Sequence, residues 1–163
     1  METRLATIAD AKAIAEIYNQ GIADRIATFE TRLRTAGEVR GWFTTTHPIV
    51  VVMDDGKVIA FAATSTYRPR DCYSGIAEFS VYVTREQRRR GAGRSAMQAL
   101  LQEARRRGFW KLLSRIFVEN TASRALMRDL GFREVGVYYK HGKLDGQWRD
   151  VVIVEYVIEA NLV

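Results

Sequence analysis

Apolar residues recur along the chain in two rhythms, a period of two and a period near four, and the switches between them mark the elements. Residues 3–6 read as a short strand, followed by Thr7-Ile8-Ala9-Asp10, a capping-box-like start. The helix it opens, over 10–20, places Ile14, Ile17 and Tyr18 on one face. The period breaks over 22–30, so Ala27-Thr28-Phe29-Glu30 is expected in a loop, a large apolar ring beside a carboxylate. Thr35-x-x-Glu38 is a second capping box, opening a short helix through Val39, Trp42 and Phe43 in a region closed by Pro48. Residues 49–53 and 57–66 are strands around Asp54-Asp55-Gly56, a hairpin signal.

Tyr67-Arg68-Pro69-Arg70-Asp71 then interrupts the strands. Residues 78–83 alternate β-branched and aromatic side chains with polar ones, the pattern of a half-buried strand. A polar turn over 84–87 and a basic, glycine-spaced loop over 88–94 lead into a helix over 95–104. Arg105, Arg106 and Arg107 suit the negative end of that helix, and Gly108 stops it. Residues 109–118 form a strand, and Glu119-Asn120-Thr121-Ala122-Ser123 caps a helix over 122–130 that Gly131 ends. The last strands, 132–139 and 151–158, are expected to be joined by a polar loop over 143–150. Helices and strands interleaved in this way predict an α/β fold with a sheet of mixed direction, in one domain over 1–163.

The strand, glycine loop and helix start together make an anion site. Free backbone N–H groups and the positive end of the helix dipole point into the loop. Gly91 and Gly93 let the main chain come close to a phosphate, and Arg88, Arg89, Arg90 and Arg94 around Ala92 supply charge and forked donors. The Gly-Lys-Ser/Thr ending of a Walker loop and the three-glycine dinucleotide fingerprint are both absent.

A net charge of +6 raises nucleic acid as a partner, but lysine and arginine form no run outside the loop and the 105–107 helix end. A phosphorylated cofactor is the better-matched anion, and no nucleic acid partner is expected. No apolar run approaches the ~18 residues of a membrane span, and the first residues lack the apolar core of a signal peptide. The single cysteine, Cys72, excludes a disulfide within the chain and fits a reducing cytoplasm. His47 and His141 have no metal-ligand spacing, so no metal site is expected.

Arg88-x-x-Gly91-x-Gly93 resembles the pyrophosphate loop of the GNAT N-acetyltransferases, and Asn120-x-x-Ser123 with Leu130-Gly131-Phe132 resembles that family's second signature. More of the chain is similar to the subfamily acting on phosphinothricin, methionine sulfoximine and arsinothricin. Its marks here are Ile17-Tyr18-Asn19, Ala27-Thr28-Phe29-Glu30, Arg68-x-Arg70, Glu78-x-Ser80-Val81-Tyr82-Val83 and Gly146-x-Trp148-x-Asp150. The resemblance implies a mixed central sheet flanked by helices, with a splayed strand pair at an acetyl-CoA site, and a homodimer. It implies N-acetylation of the α-amine of a small acidic amino-acid analogue, a detoxification that confers resistance.

Residue by residue, the resemblance makes Glu78 the general base. A carboxylate is a sensible acceptor for the ammonium proton, although Glu78 could equally hold loop geometry or bind the ammonium. The backbone of Val81, Tyr82 and Val83 is expected to pair with the pantetheine arm, joined by Asn120 and Ser123; Asn120 reads equally as a helix N-cap. Arg68 and Arg70, two apart, would share a side if extended and make a fork-shaped receptor for an oxyacid. Tyr18, Phe29 and Glu30 complete the expected substrate site. The position where many family members carry an acidic tyrosine holds Met127, which has no proton to give. Trp148 and Asp150 read as structural, or as near a dimer and substrate rim. Two rivals stay open: a transferase of the same fold acting on a protein N-terminus or a polyamine, and a non-enzymatic CoA- or nucleic-acid-binding module.

Overall fold

A computed structural model describes Met1–Val163. Its elements in chain order are β1 (Glu2–Leu5), α1 (Ala11–Asp24), α2 (Ala36–Arg40), β2 (Ile49–Asp54), β3 (Lys57–Thr66), β4 (Ile76–Val83), α3 (Ala92–Arg106), β5 (Lys111–Phe117), α4 (Thr121–Asp129), β6 (Arg133–Leu144) and β7 (Gln147–Val157). The strands form one seven-stranded sheet in the order β1-β2-β3-β4-β5-β7-β6. Every pairing is antiparallel except β4 with β5, so the expected mixed sheet is present.

Helices cover both faces. On one, Ala96, Met97 and Leu100 of α3 and Met127 of α4 pack with Ala77, Phe79, Leu112 and Val152 of the strands. On the other, Ile14 and Ile17 of α1 pack with Val51 and Phe61. Each large side chain buried this way contributes about 1.5–3 kcal/mol. The alternation along β4 thus divides its side chains: Ala77 and Phe79 enter the first core, with Val81 and Val83 against it, while Tyr82 packs against the second.

The two largest differences from expectation lie at α1 and at the last hairpin. Helix α1 runs four residues past Gln20, to Asp24, and ends on Arg25 in the left-handed region at φ 58°. Gly21, which weakens the helical pattern, is buried mid-helix because the Tyr82 ring rests on it; a Cβ there would lie 2.6 Å from the ring. The stretch 143–150 is not a loop. It belongs to a long β6–β7 hairpin whose turn is only Asp145-Gly146, at φ 50° and 78°, the same left-handed pair that Asp55-Gly56 supplies between β2 and β3. The polar side chains that suggested a loop are those of an exposed two-stranded extension. Within it β6 carries a register break between Tyr138 and Gly142, with Lys140 at φ 48° and its amide donating to the Asp150 carboxylate at 2.7 Å.

The feature that makes room for a site is the brevity of the one parallel pairing. Strands β4 and β5 pair only at Ile76–Lys111, Ala77–Leu112 and Glu78–Leu113. Beyond that, β4 stays with β3 as far as Val83 and β5 stays with β7 as far as Phe117, so the two diverge. Their closed end is pinned by Trp110, whose amide donates to Gly75 O at 2.8 Å while its indole covers the glycine. A Cβ at Gly75 would stand 1.9 Å from that ring, so Gly75→Ala must displace Trp110. Overpacking of this kind costs about 1–3 kcal/mol. We expect the variant's urea midpoint to fall with the m-value unchanged; an unaltered midpoint would show that Trp110 moves freely.

Candidate active site

The gap between β4 and β5 opens on two connected spaces. A cavity of about 840 Å³ lies on the α1 side, lined by Tyr18, Phe29, Glu30, Glu78, Tyr82 and Arg115 among others. A cleft of about 50 Å³ lies towards α4, reached by Val81, Asn120, Ser123 and Met127. Phe79, Ser80, Ser114, Arg115 and Phe117 line both. Ser114 sits at the fork, its hydroxyl donating to Phe79 O at 2.8 Å, which satisfies the first carbonyl that β5 abandons. The remaining β4 edge, Ser80 to Val83, has no β5 partner.

Glu78 is the last paired residue of β4, so its side chain projects where the gap begins. Both of its oxygens accept from Nη2 of Arg115, at 3.0 and 2.9 Å. Arg115 carries no signal in sequence beyond an outward position on a strand. Only the pairing of β5 against β4 brings it to Glu78.

The wall opposite is aromatic. Tyr18 and Tyr82 lie 5.1 Å apart between centroids, with Tyr82 stacked on Phe61 at 5.6 Å. Burial pushes both phenols above their ordinary pKa, so both are neutral donors at neutral pH. Phe29 meets Phe117 edge-on at 4.9 Å and leans on Gly142, where a Cβ would come within 2.9 Å of the ring. The β6 irregularity therefore seats a cavity residue. Glu30 pairs with Arg34 at 2.6 Å, and Asn19 binds the Arg34 backbone through both ends of its amide. His47 and His141 also line the cavity; burial lowers the pKa of His47.

At the far end of β4 the basic loop is tied down. Helix α3 begins at Ala92, three residues before the expected start, because Gly91 at φ 88° acts as its N-cap and its carbonyl accepts from Ser95 N–H at 3.0 Å. Ala92, Gly93 and Arg94 thus form the first helical turn, whose amides have no partner within the helix. Arg88 is held by Asp24 of α1 at 2.7 Å and by Val83 O at 3.3 Å, and Arg85 binds the same carboxylate at 2.8 Å. Arg94 pairs with Asp129 at 3.2 Å, while Arg89 and Arg90 are exposed.

Other expected residues fall as follows. Asn120 is the N-cap of α4, accepting from Ser123 N–H at 3.2 Å, and its amide donates to Ile26 O at 3.3 Å. Met127 is buried in the wall of the cleft. Trp148 is exposed beneath the Lys143 ammonium, and Asp150 anchors the β6 bulge. Arg68 and Arg70 do not line the cavity. They follow its Ser65 and Thr66, are exposed, and lie beside the rings of Tyr67 and Tyr73 at 4.9 and 6.0 Å.

A seven-stranded mixed sheet split between its parallel strands, with a helix N-terminus at the end of the split strand, is the architecture of a class of acyl-transferring domain. The sequence profile of the acetyltransferase (GNAT) family matches residues 14–132, and the chain belongs to that family. It is similar to the L-methionine sulfoximine/L-methionine sulfone acetyltransferase of Pseudomonas aeruginosa, 32% identical over 93% of this chain and 91% of that protein. A phosphinothricin acetyltransferase from Sinorhizobium meliloti, solved in complex with AcCoA, superposes with a TM-score of 0.89 at 30% identity, covering 96% of this chain and 87% of the other. A ribosomal-protein-alanine N-acetyltransferase from Brucella melitensis superposes at 0.92 with 30% identity, over 96% and 99% of the two chains.

The clamp on the basic loop carries a pH signature. Hydrogen bonds from Arg85, then Arg88, hold the Asp24 carboxyl below the usual carboxylate range. Its contribution is present above the unfolded value of about 3.9 and is lost as pH falls through the lower folded value. The pair is partly exposed, so Asp24→Asn should cost under about 1 kcal/mol. We expect the gap in urea midpoint between wild type and variant to be present at neutral pH and to close in acid; a gap independent of pH would assign it to something other than the carboxylate.

Proposed function

We propose that this protein transfers the acetyl group of acetyl-CoA to the α-amine of a small toxic acidic amino-acid analogue of the phosphinothricin, methionine sulfoximine or arsinothricin type. Such a reaction would confer resistance in the cytoplasm. The observation that carries this reading is the open β4 edge, with a carboxylate at its root and a helix N-terminus at its tip. The names of the Pseudomonas and Sinorhizobium relatives support it.

The residues present fit acetyl-CoA. Nothing lies within 4 Å of a Cβ built on Gly91, so the ground before the first turn of α3 is open to phosphate oxygens. When bound, the cofactor supplies an activated thioester. In our reading the backbone along the open β4 edge from Val81 through Tyr82 to Val83 holds the pantetheine arm, with Asn120 and Ser123 across the cleft, and a β4 amide polarises the thioester carbonyl. Arg88, Arg89, Arg90 and Arg94 neutralise the phosphates; these arginines are matched to a phosphorylated cofactor, not to nucleic acid. Glu78 accepts the proton that the substrate ammonium must lose before its nitrogen attacks. Tyr18, Phe29 and Glu30 bound the acceptor, and Arg68 and Arg70 act on its acidic side group from the rim. Met127 cannot protonate the leaving thiolate.

Val135, Val137, Tyr138 and Tyr139 of β6 are exposed, and this apolar strip supports a homodimer. A second reading, acetylation of a protein N-terminus, draws on the name of the Brucella neighbour and on the exposed position of Arg68 and Arg70. A thiol-release assay with acetyl-CoA and a panel of acidic analogues, ordinary amino acids, peptides and polyamines decides between them.

With the accepted substrate, Glu78→Gln keeps the shape and loses the proton acceptor. Its kcat should fall roughly 10²–10⁴-fold and recover in part at high pH, where the amine is already deprotonated. Full activity at neutral pH would make Glu78 structural. Gly91→Val should raise the KM for acetyl-CoA and leave the acceptor KM unchanged, since the branched side chain strains a left-handed position and occupies the proposed phosphate ground. An unaltered acetyl-CoA KM would remove the loop from the cofactor site.

A further inference from the structure

Arg115 is the only lysine or arginine among the residues lining the large cavity. Its single pairing is with Glu78, and both contacts use one nitrogen, Nη2, at 3.0 and 2.9 Å. Nε and Nη1 make no hydrogen bond within the protein, although the guanidinium is a five-donor fork suited to a carboxylate. The side chain keeps 43% of its exposure, so the head is not locked in place by packing. Across the cavity, the other acidic residue, Glu30, already has Arg34. An ion pair that leaves two donors unused and faces an 840 Å³ cavity is poorly explained as a structural brace.

Resting on the N-acetyltransferase reading above, we propose that Glu78 and Arg115 together form the receptor for the charged head of an α-amino acid. Glu78 takes the ammonium and Arg115 takes the α-carboxylate. The two substrate groups sit on one carbon, and their charges are the mirror of the protein pair. Binding therefore exchanges one ion pair inside the protein for two between protein and substrate, with no net charge buried, which limits the desolvation cost. The exchange also separates Arg115 from Glu78, so the carboxylate meets the ammonium with its oxygens released. A proton then passes from the substrate nitrogen to a Glu78 oxygen, and the freed nitrogen lone pair forms the C–N bond as the C–S bond breaks; the sulfur keeps the bonding pair and takes up the nitrogen's second proton, leaving as the CoA thiol.

An amine lacking the neighbouring carboxylate has nothing to draw Arg115 away. Amides, peptides and polyamines are then rejected twice, by a missing contact and by a base that stays occupied. Specificity for free amino acids follows from position 115, and Arg68 and Arg70 at the rim are left to read the side chain.

The test compares methionine sulfoximine, phosphinothricin and an ordinary free amino acid with the primary α-carboxamide of each, in wild type, Arg115→Gln and Arg115→Lys. Wild type should strongly prefer the acids. In Arg115→Gln the KM for the acids should rise roughly ten- to a hundredfold, as expected for a lost charge-assisted contact, with the KM for acetyl-CoA unchanged. The same variant should turn over the carboxamides faster than wild type, because Glu78 is no longer held. Arg115→Lys should recover part of the acid KM. Equal losses on acids and amides, an unchanged acid KM, or equal use of acids and amides by wild type would each overturn the proposal. If wild type prefers acid to amide only for the ordinary amino acid, the assignment of Arg115 stands and the toxic-analogue substrate falls.

Discussion

The candidate site depends on two strands that run in parallel for three residues and then separate. A parallel pair is normally buried and fully bonded, so ending it inside a sheet leaves main-chain groups that need other partners. The chain meets that need with a side chain at each end of the diverging stretch, Ser114 on Phe79 O and Arg88 on Val83 O, and leaves the edge between them open. The divergence is tolerated because each strand has a complete ladder on its other side, β3 for β4 and β7 for β5. It is held at its base by Trp110 over Gly75, which sets where parting begins and so places Glu78 at the fork.

Around that gap the glycines serve close approach more than turning. Gly21 admits Tyr82 into α1, Gly142 admits Phe29 beside β6, and Gly75 admits Trp110. Each lets an aromatic ring of the site or its support reach the backbone of a different element. Helix α1 joins the two ends of the candidate site: Tyr18 stands in the cavity wall, and Asp24, at the C-terminal end of the same helix, holds Arg85 and Arg88.

The fold was largely legible because its strands read as apolar runs or alternations bounded by turn residues and its helices carry caps at Thr35 and Asn120 and stops at Gly108 and Gly131. Misreadings came where local chemistry is outvoted by tertiary contact. The first helix was expected to stop at Gln20, and Gly21 beyond it is the seat of a ring inside α1. The polar run 143–150 looked like a loop, although Asp145-Gly146 inside it is the same turn signal that was read correctly at Asp55-Gly56. Of the candidate site, Glu78 and the glycine loop could be picked out from pattern and resemblance, since they lie within one short stretch of sequence. Arg115 could not, because its meaning lies in a partner 37 residues away across a strand pair. Arg68 and Arg70 show the reverse: spacing two apart makes a fork only if the segment is extended into the cavity, and the chain turns outside it.

The bulge in β6 has a meaning for how the molecule avoids open-ended pairing along that edge. A twelve-residue strand at the margin of a sheet offers a row of unpaired amides and carbonyls on which any extended chain can grow. Lys140, turned into the left-handed region and bound back to Asp150, cuts that row in two and twists the halves apart. Neither remnant is a long flat template for open-ended stacking into fibres. The same distortion that makes room for Phe29 thus keeps the solvent-facing margin of the sheet from polymerising.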